Sequence, residues 1–216
     1  RNGFQWDPAQ ERAVTTLDQL YARLLTTPPP SFWRRLTGRP TAAAKGLYLW
    51  GGVGRGKTWL MDCFYECLPF EDKLRLHFHR FMHEVHAALK RLPGEQDPLL
   101  KVAEDLRSRA RVICFDEFFV SDITDAMLLG RLFQHLFARG LTLVATSNVA
   151  PDELYKNGLQ RERFLPAIRL LKQHTQVLNV DGGTDYRLRH MQGTELFYVP
   201  AGPTADAHLM AMFERL

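Results

Sequence analysis

Gly51-Gly52-Val53-Gly54-Arg55-Gly56-Lys57-Thr58 is the stretch that decides the fold of this chain. It satisfies G-x-x-x-x-G-K-[ST] and stands between an apolar run at 47–50 and an amphipathic run that begins at Lys57. That context, strand then glycine-rich loop then helix, is what the pattern requires before it means phosphate binding. Glycines let the backbone curl so that successive N–H groups face an anion, and the positive end of the following helix adds a favourable field. Lys57 is then expected to reach the β and γ phosphates of ATP, and the Thr58 hydroxyl to ligate Mg2+. Residues Gly51, Gly52, Val53, Gly54, Arg55, Gly56, Lys57, Thr58 and Trp59 form the expected nucleotide-binding set. A glycine-rich turn that matches by accident is the alternative, and the flanking strand and helix weigh against it.

Val112-Ile113-Cys114-Phe115-Asp116-Glu117 is an apolar strand that ends in two adjacent carboxylates. Ligands of open α/β sheets bind at the carboxyl ends of strands. Asp116 is therefore expected to hold magnesium, directly or through water, and Glu117 to orient the water that attacks the γ phosphate. Leu141-Thr142-Leu143-Val144-Ala145-Thr146-Ser147-Asn148 is another buried strand with a small polar tip. Asn148 is the candidate sensor of the γ phosphate, the alternative being a plain strand-to-turn residue. Gly158-Leu159-Gln160-Arg161-Glu162-Arg163-Phe164 follows, where AAA+ enzymes place an arginine that completes a neighbouring subunit's site. Arg163 is the first choice for that finger and Arg161 the second, against surface ion pairs with Glu162 or Asp152. Near the start, Phe4-Gln5-Trp6-Asp7-Pro8-Ala9-Gln10 can fold back toward adenine, with Gln10 reading its edge, or can serve only as a helix cap and staple.

Working outward, short apolar runs alternate with amphipathic ones. The pattern predicts strands at 47–50, 74–78, 112–115, 141–145 and 176–180 and helices at 8–25, 57–67, 80–91, 98–109, 124–139 and 163–172. Such alternation specifies an α/β fold, a five-stranded parallel sheet covered by helices. The expected organisation is an N-terminal helix and connecting loop over 1–45, with a helical turn near 32–36, then a core over 46–185 and a C-terminal extension over 186–216. His79, His83 and His86 share one helical face. His83-Glu84-Val85-His86 lacks the spacing of H-E-x-x-H, so a polar face is expected rather than a metal site.

The 216 residues are 45% hydrophobic and 24% charged, the composition of a globular domain. No run approaches the about 18 unbroken apolar residues of a membrane span, so a soluble chain is expected. The chain starts at Arg1 with neither an apolar signal core nor a transit-type leader, and none is expected within it. Three cysteines suit a reducing compartment, with Cys63 and Cys67 expected to pack within a helix. The net charge of +4 is spread along the chain without an aromatic stacking series, so nucleic acid is not the expected partner.

Together these motifs resemble the ZapE-type cell-division ATPases of bacteria and the related mitochondrial LACE-type AAA+ proteins, from about Phe4 to Val199. The likeness is carried by Gly46-Leu47-Tyr48-Leu49-Trp50, His77-Phe78-His79-Arg80-Phe81-Met82, the stretch from Asp116 to Met127, Thr146-Ser147-Asn148, and the segments that begin at Leu154, Phe164 and Asp185. The resemblance implies an AAA+ core, Asn148 as sensor, an arginine finger between Gly158 and Phe164, and homo-oligomers that form a ring, of which a hexamer is one form. It implies ATP hydrolysis coupled to remodelling of a protein partner: FtsZ polymers in the bacterial cytoplasm at the division site, or inner-membrane proteins on the matrix side in mitochondria. A helical lid with a second sensor arginine lies, in such families, largely beyond the position of Leu216. A nucleic-acid-associated loader and an ATP-binding scaffold without turnover are the rival readings.

Overall fold

The computed structural model describes residues 8–26 and 43–181. The helical turn expected near 32–36, Trp6, and the extension from 186 onward lie outside the described residues.

Helix α1 (Pro8–Thr26) buries Ala9, Ala13, Leu17, Leu20 and Leu24, one stripe at three- and four-residue spacing. Strand β1 (Gly46–Trp50) leads into the phosphate loop and α2 (Lys57–Cys67). Then come β2 (Lys73–His77), α3 (Phe78–Lys90), α4 (Pro98–Arg109), β3 (Val112–Asp116), α5 (Ile123–Ala138) and β4 (Thr142–Ser147). The series closes with α6 (Leu165–His174) and β5 (Thr175–Asn179). All strand pairs are parallel, in the order β2-β3-β4-β1-β5. The three central strands are buried nearly throughout, whereas β2 and β5 are half-buried edges.

Side chains alternate across the sheet as the pleat demands. Leu47, Leu49, Val112, Cys114 and Val144 join α1 and α2 in one core, around Leu20, Met61 and Phe64. Tyr48, Ile113, Phe115, Leu143 and Ala145 face the other way and pack with α3, α4, α5 and α6. The layers hold β4 between β1 and β3, which carries the tip of β4 toward both the phosphate loop and the acidic end of β3.

Several expected boundaries move, each for a physical reason. The strand expected over 74–78 ends at His77, and Phe78 is already the first residue of α3. Its apolar side chain extends the strand pattern in sequence, yet it is buried as a helical residue 4.2 Å from the Phe118 ring centre. The helix expected over 163–172 divides into a short 3-10 turn, Arg161–Arg163, and α6, which Pro166 starts from its first turn. β4 runs two residues further than expected, to Ser147. Cys63 and Cys67 are exposed rather than packed, because α2 turns Leu60, Met61 and Phe64 inward and leaves the opposite face to them.

Candidate nucleotide site

The phosphate loop depends on glycine where its backbone turns left-handed: Gly54 has φ 78° and Gly56 φ 75°. A side chain at either position would be strained. Lys57 folds back over the loop, donating from Nζ to the Gly51 carbonyl at 2.7 Å, the Gly52 carbonyl at 2.6 Å and the Asn148 side-chain oxygen at 3.2 Å. Burial lowers the pKa of this ammonium, Arg55 lowers it further, and Asp181 and Asp116 act against both.

Asp116, 3% exposed, is the hub. Its Oδ1 accepts from the Thr58 hydroxyl at 2.9 Å, the Thr146 hydroxyl at 2.6 Å and the Glu117 N–H at 3.1 Å. Its Oδ2 accepts from Arg75 Nη2 at 3.1 Å, with His77 Nδ1 at 3.9 Å. Burial would raise the Asp116 pKa, but the hydroxyls of Thr146 and Thr58 and the charges of Arg75 and His77 outweigh it and hold the carboxyl below its ordinary value. The donor set fits a small hard cation: a hydroxyl and a carboxylate oxygen 2.9 Å apart match neighbouring corners of an octahedron with bonds of about 2.1 Å.

Glu117 differs from Asp116 in exposure and in backbone conformation. Its side chain is 73% exposed, with His77 Nδ1 3.9 Å from Oε2. Its backbone is left-handed, φ 52°, a conformation non-glycine residues rarely adopt, and its N–H is fixed by Asp116 and by Thr146 Oγ1 at 3.2 Å. The turn buries one carboxylate and points the next into solvent.

Gln10 Nε2 donates to the Arg55 carbonyl at 3.2 Å, tying α1 to the loop. Arg55 Nε lies 2.9 Å from Asp181 Oδ1 just past β5. Trp59 and Val53 are exposed beside the loop, 66% and 55%. The expected phosphate-loop, acidic and sensor residues thus gather in one place. The two arginines do not join them: Arg161 Nη2 donates to the Asp152 carbonyl at 2.6 Å, whereas the Asp152 carboxylate pairs with Lys172 at 2.7 Å. Arg163 is exposed, lining a groove between α5 and α6 with Arg131 and Arg169. In the histidine segment, His86 Nε2 lies 2.6 Å from Asp125 Oδ1, while His79 and His83 are exposed on the outer face of α3.

Arg75, His77, Thr146 and Asp181 belong to this constellation and were not singled out as site residues from sequence. The signal for two of them was the alternation Lys73-Leu74-Arg75-Leu76-His77, because pairing of Arg75 with Cys114 and His77 with Asp116 sets them on one face.

The family model described as AFG1-like ATPase matches residues 1–216. Cell division protein ZapE of Escherichia coli K12 is 54% identical over 208 residues, 91% of this chain and 56% of that protein. Lactation elevated protein 1 homolog B of Danio rerio is 44% identical over 184 residues, 80% of this chain and 37% of that protein. The chain thus spans about half or less of the length of these curated relatives. Among solved structures, DnaI superposes with a TM-score of 0.59 at 18% identity, over 86% of this chain and 88% of that one. AMPPCP-bound DnaA from Aquifex aeolicus gives 0.57 at 12% identity, over 88% of this chain and 52% of that one. These structures share the fold, a P-loop AAA+ core.

Proposed function

The chain belongs to the AFG1-like ATPase family, and from that membership together with the site geometry we propose that it binds ATP with magnesium and hydrolyses the β-γ phosphoanhydride to remodel a protein partner. The observation that carries this reading is the 2.9 Å hydrogen bond from Thr58 to Asp116, which brings the phosphate loop and the acidic strand end to one point. Backbone N–H groups of Gly51 to Thr58 would cradle the phosphates, with Lys57 exchanging its carbonyl partners for phosphate oxygens. Thr58 and Asp116 would hold Mg2+, which when bound neutralises charge on the β and γ oxygens. Glu117, with 73% of its side chain exposed, would accept a hydrogen bond from the attacking water and set it in line with the γ phosphorus. Asn148 would link the γ phosphate to Lys57.

By its likeness to ZapE, the partner is proposed to be FtsZ polymer at the bacterial division site, with the protein acting as a cytoplasmic ring. Among the described residues no helix is long and apolar enough to cross a membrane. The test is steady-state phosphate release from the purified full-length protein, with and without FtsZ polymer. Turnover that rises with polymer is expected, and Glu117→Gln should keep nucleotide binding while losing turnover. Glu117→Gln releasing phosphate at the parent rate would sink the assignment.

A loader acting on nucleic acid is the second reading, favoured by the arginine-lined α5–α6 groove and by 26% identity over 119 residues to the replicative helicase loader DnaI of Bacillus subtilis. Stimulation by single-stranded DNA that fades steeply as salt rises, with no response to FtsZ, would favour it.

A further inference from the structure

Asp116 Oδ1 accepts from two hydroxyls and an amide, all from elements already assigned to the nucleotide site. Its second oxygen is held by a residue from a different place, the edge strand β2. Arg75 Nη2 donates to Asp116 Oδ2 at 3.1 Å, and the same guanidinium meets Asp62 of α2 through Nε to Oδ1 at 2.9 Å and Nη2 to Oδ2 at 3.4 Å. Arg75 is mostly buried, with 26% of its side chain exposed, while Asp62 lies 43% exposed at the rim.

We infer that Arg75 is a positioning residue for the metal-binding carboxylate, fixing the orientation of Asp116 while Asp62 absorbs its charge. The inference rests on the nucleotide-site reading given above and goes beyond it by naming what sets the metal affinity.

The alternative role for a cation beside a metal ligand is simple neutralisation, which would oppose Mg2+ binding. Geometry favours orientation. Arg75 spends two of its contacts on Asp62, so the pair is close to neutral and Asp116 keeps its negative charge for a metal. A planar guanidinium can span two carboxylates in fixed directions, which a lysine ammonium cannot. Partners that orient a metal ligand without touching the metal typically change metal affinity by about 10- to 100-fold when removed.

The two roles predict opposite signs. Arg75→Met should raise the free Mg2+ needed for half of the metal-dependent gain in affinity for a fluorescent ATP analogue by about tenfold. Its affinity for the analogue in EDTA should stay at the parent level, which reports an intact loop. Arg75→Lys should recover only part of the loss. Asp62→Asn is the second variant, at a position exposed enough to tolerate change: it throws the whole arginine charge onto Asp116 and should also weaken Mg2+ binding. Tighter Mg2+ binding in Arg75→Met, unchanged binding, or full recovery by Arg75→Lys would overturn the inference. If the parent protein itself shows no Mg2+-dependent gain, the nucleotide-site reading fails instead, so the two failures are distinguishable.

Discussion

Lys57 Nζ and the side-chain oxygen of Asn148 are joined by a 3.2 Å hydrogen bond, linking the first residue of α2 to the residue just past β4. The bond exists because β4 lies next to β1 in the sheet, so its end opens beside the phosphate loop. Asn148→Ala removes the group proposed to sense the γ phosphate while leaving the two carbonyl partners of Lys57. Phosphate release should fall by about 100-fold, the scale of losing one preorganised donor, with little change in ATP affinity. Equal turnover in variant and parent, measured at saturating ATP, would deny Asn148 any part in the chemistry.

The depressed pKa of Asp116 sets a pH dependence of stability. The unfolded value is about 3.9 and the folded one lies below it, so the carboxylate stabilises the fold fully above the unfolded value. That contribution is lost as pH falls through the folded pKa. Asp116→Asn lacks it at every pH. The gap in urea midpoint between parent and Asp116→Asn should therefore be widest near neutrality and close below about pH 4. A gap that stays constant from pH 7 to pH 3 would show that the hydrogen bonds to Asp116 do not depend on its charge.

Much of this site could be read from residues alone, and the reasons are local. The phosphate loop, Asp116 and Glu117 are contiguous motifs whose strand and helix context is visible in the hydrophobic pattern. Arg75 could not be identified the same way, because its role depends on β2 pairing with β3, a contact between residues about forty positions apart. Phe78 misled the boundary of β2 because burial in a sheet and burial at a helix start favour the same aromatic side chain. Cys63 and Cys67 misled for the converse reason: sulfur is usually buried, but the face of α2 that meets the sheet was already filled by Leu60, Met61 and Phe64.

Gly158 illustrates a constraint of close approach. A Cβ built there would sit 2.1 Å from Tyr155 Cζ, and that ring is buried, with its hydroxyl donating to the Leu159 carbonyl at 3.0 Å. Gly158→Ala must displace the ring and should destabilise the protein by about 1–3 kcal/mol. Gly94 offers the contrast, since a Cβ there meets nothing within 4 Å and only its φ of 84° opposes substitution. Gly94→Ala should cost about 1 kcal/mol. Thermal unfolding of the two variants checks the order, and Gly94→Ala being the more damaging would contradict the packing argument.

The arginines at 161 and 163 are separated by their contacts. Arg161 is tied to its own subunit through the Asp152 carbonyl, whereas Arg163 is exposed and pairs with no acid among the described residues. Arg163 is thus the residue proposed to serve a neighbouring copy. A finger that neutralises transition-state charge contributes about 10³- to 10⁵-fold in GTPases, so Arg163→Ala should lose most turnover while keeping ATP binding. Mixing gives the sharper test. Arg163→Ala subunits retain an intact site but lack a finger to offer, and Glu117→Gln subunits have a dead site but a good finger. Neither alone should release phosphate, and a mixture should, because each Arg163→Ala site with a Glu117→Gln neighbour is complete. A mixture as inactive as its components would place the finger in the same subunit as the site or remove it from the mechanism. Recovery in the mixture, with the parent rate per subunit climbing as protein concentration rises, would show that the site is shared.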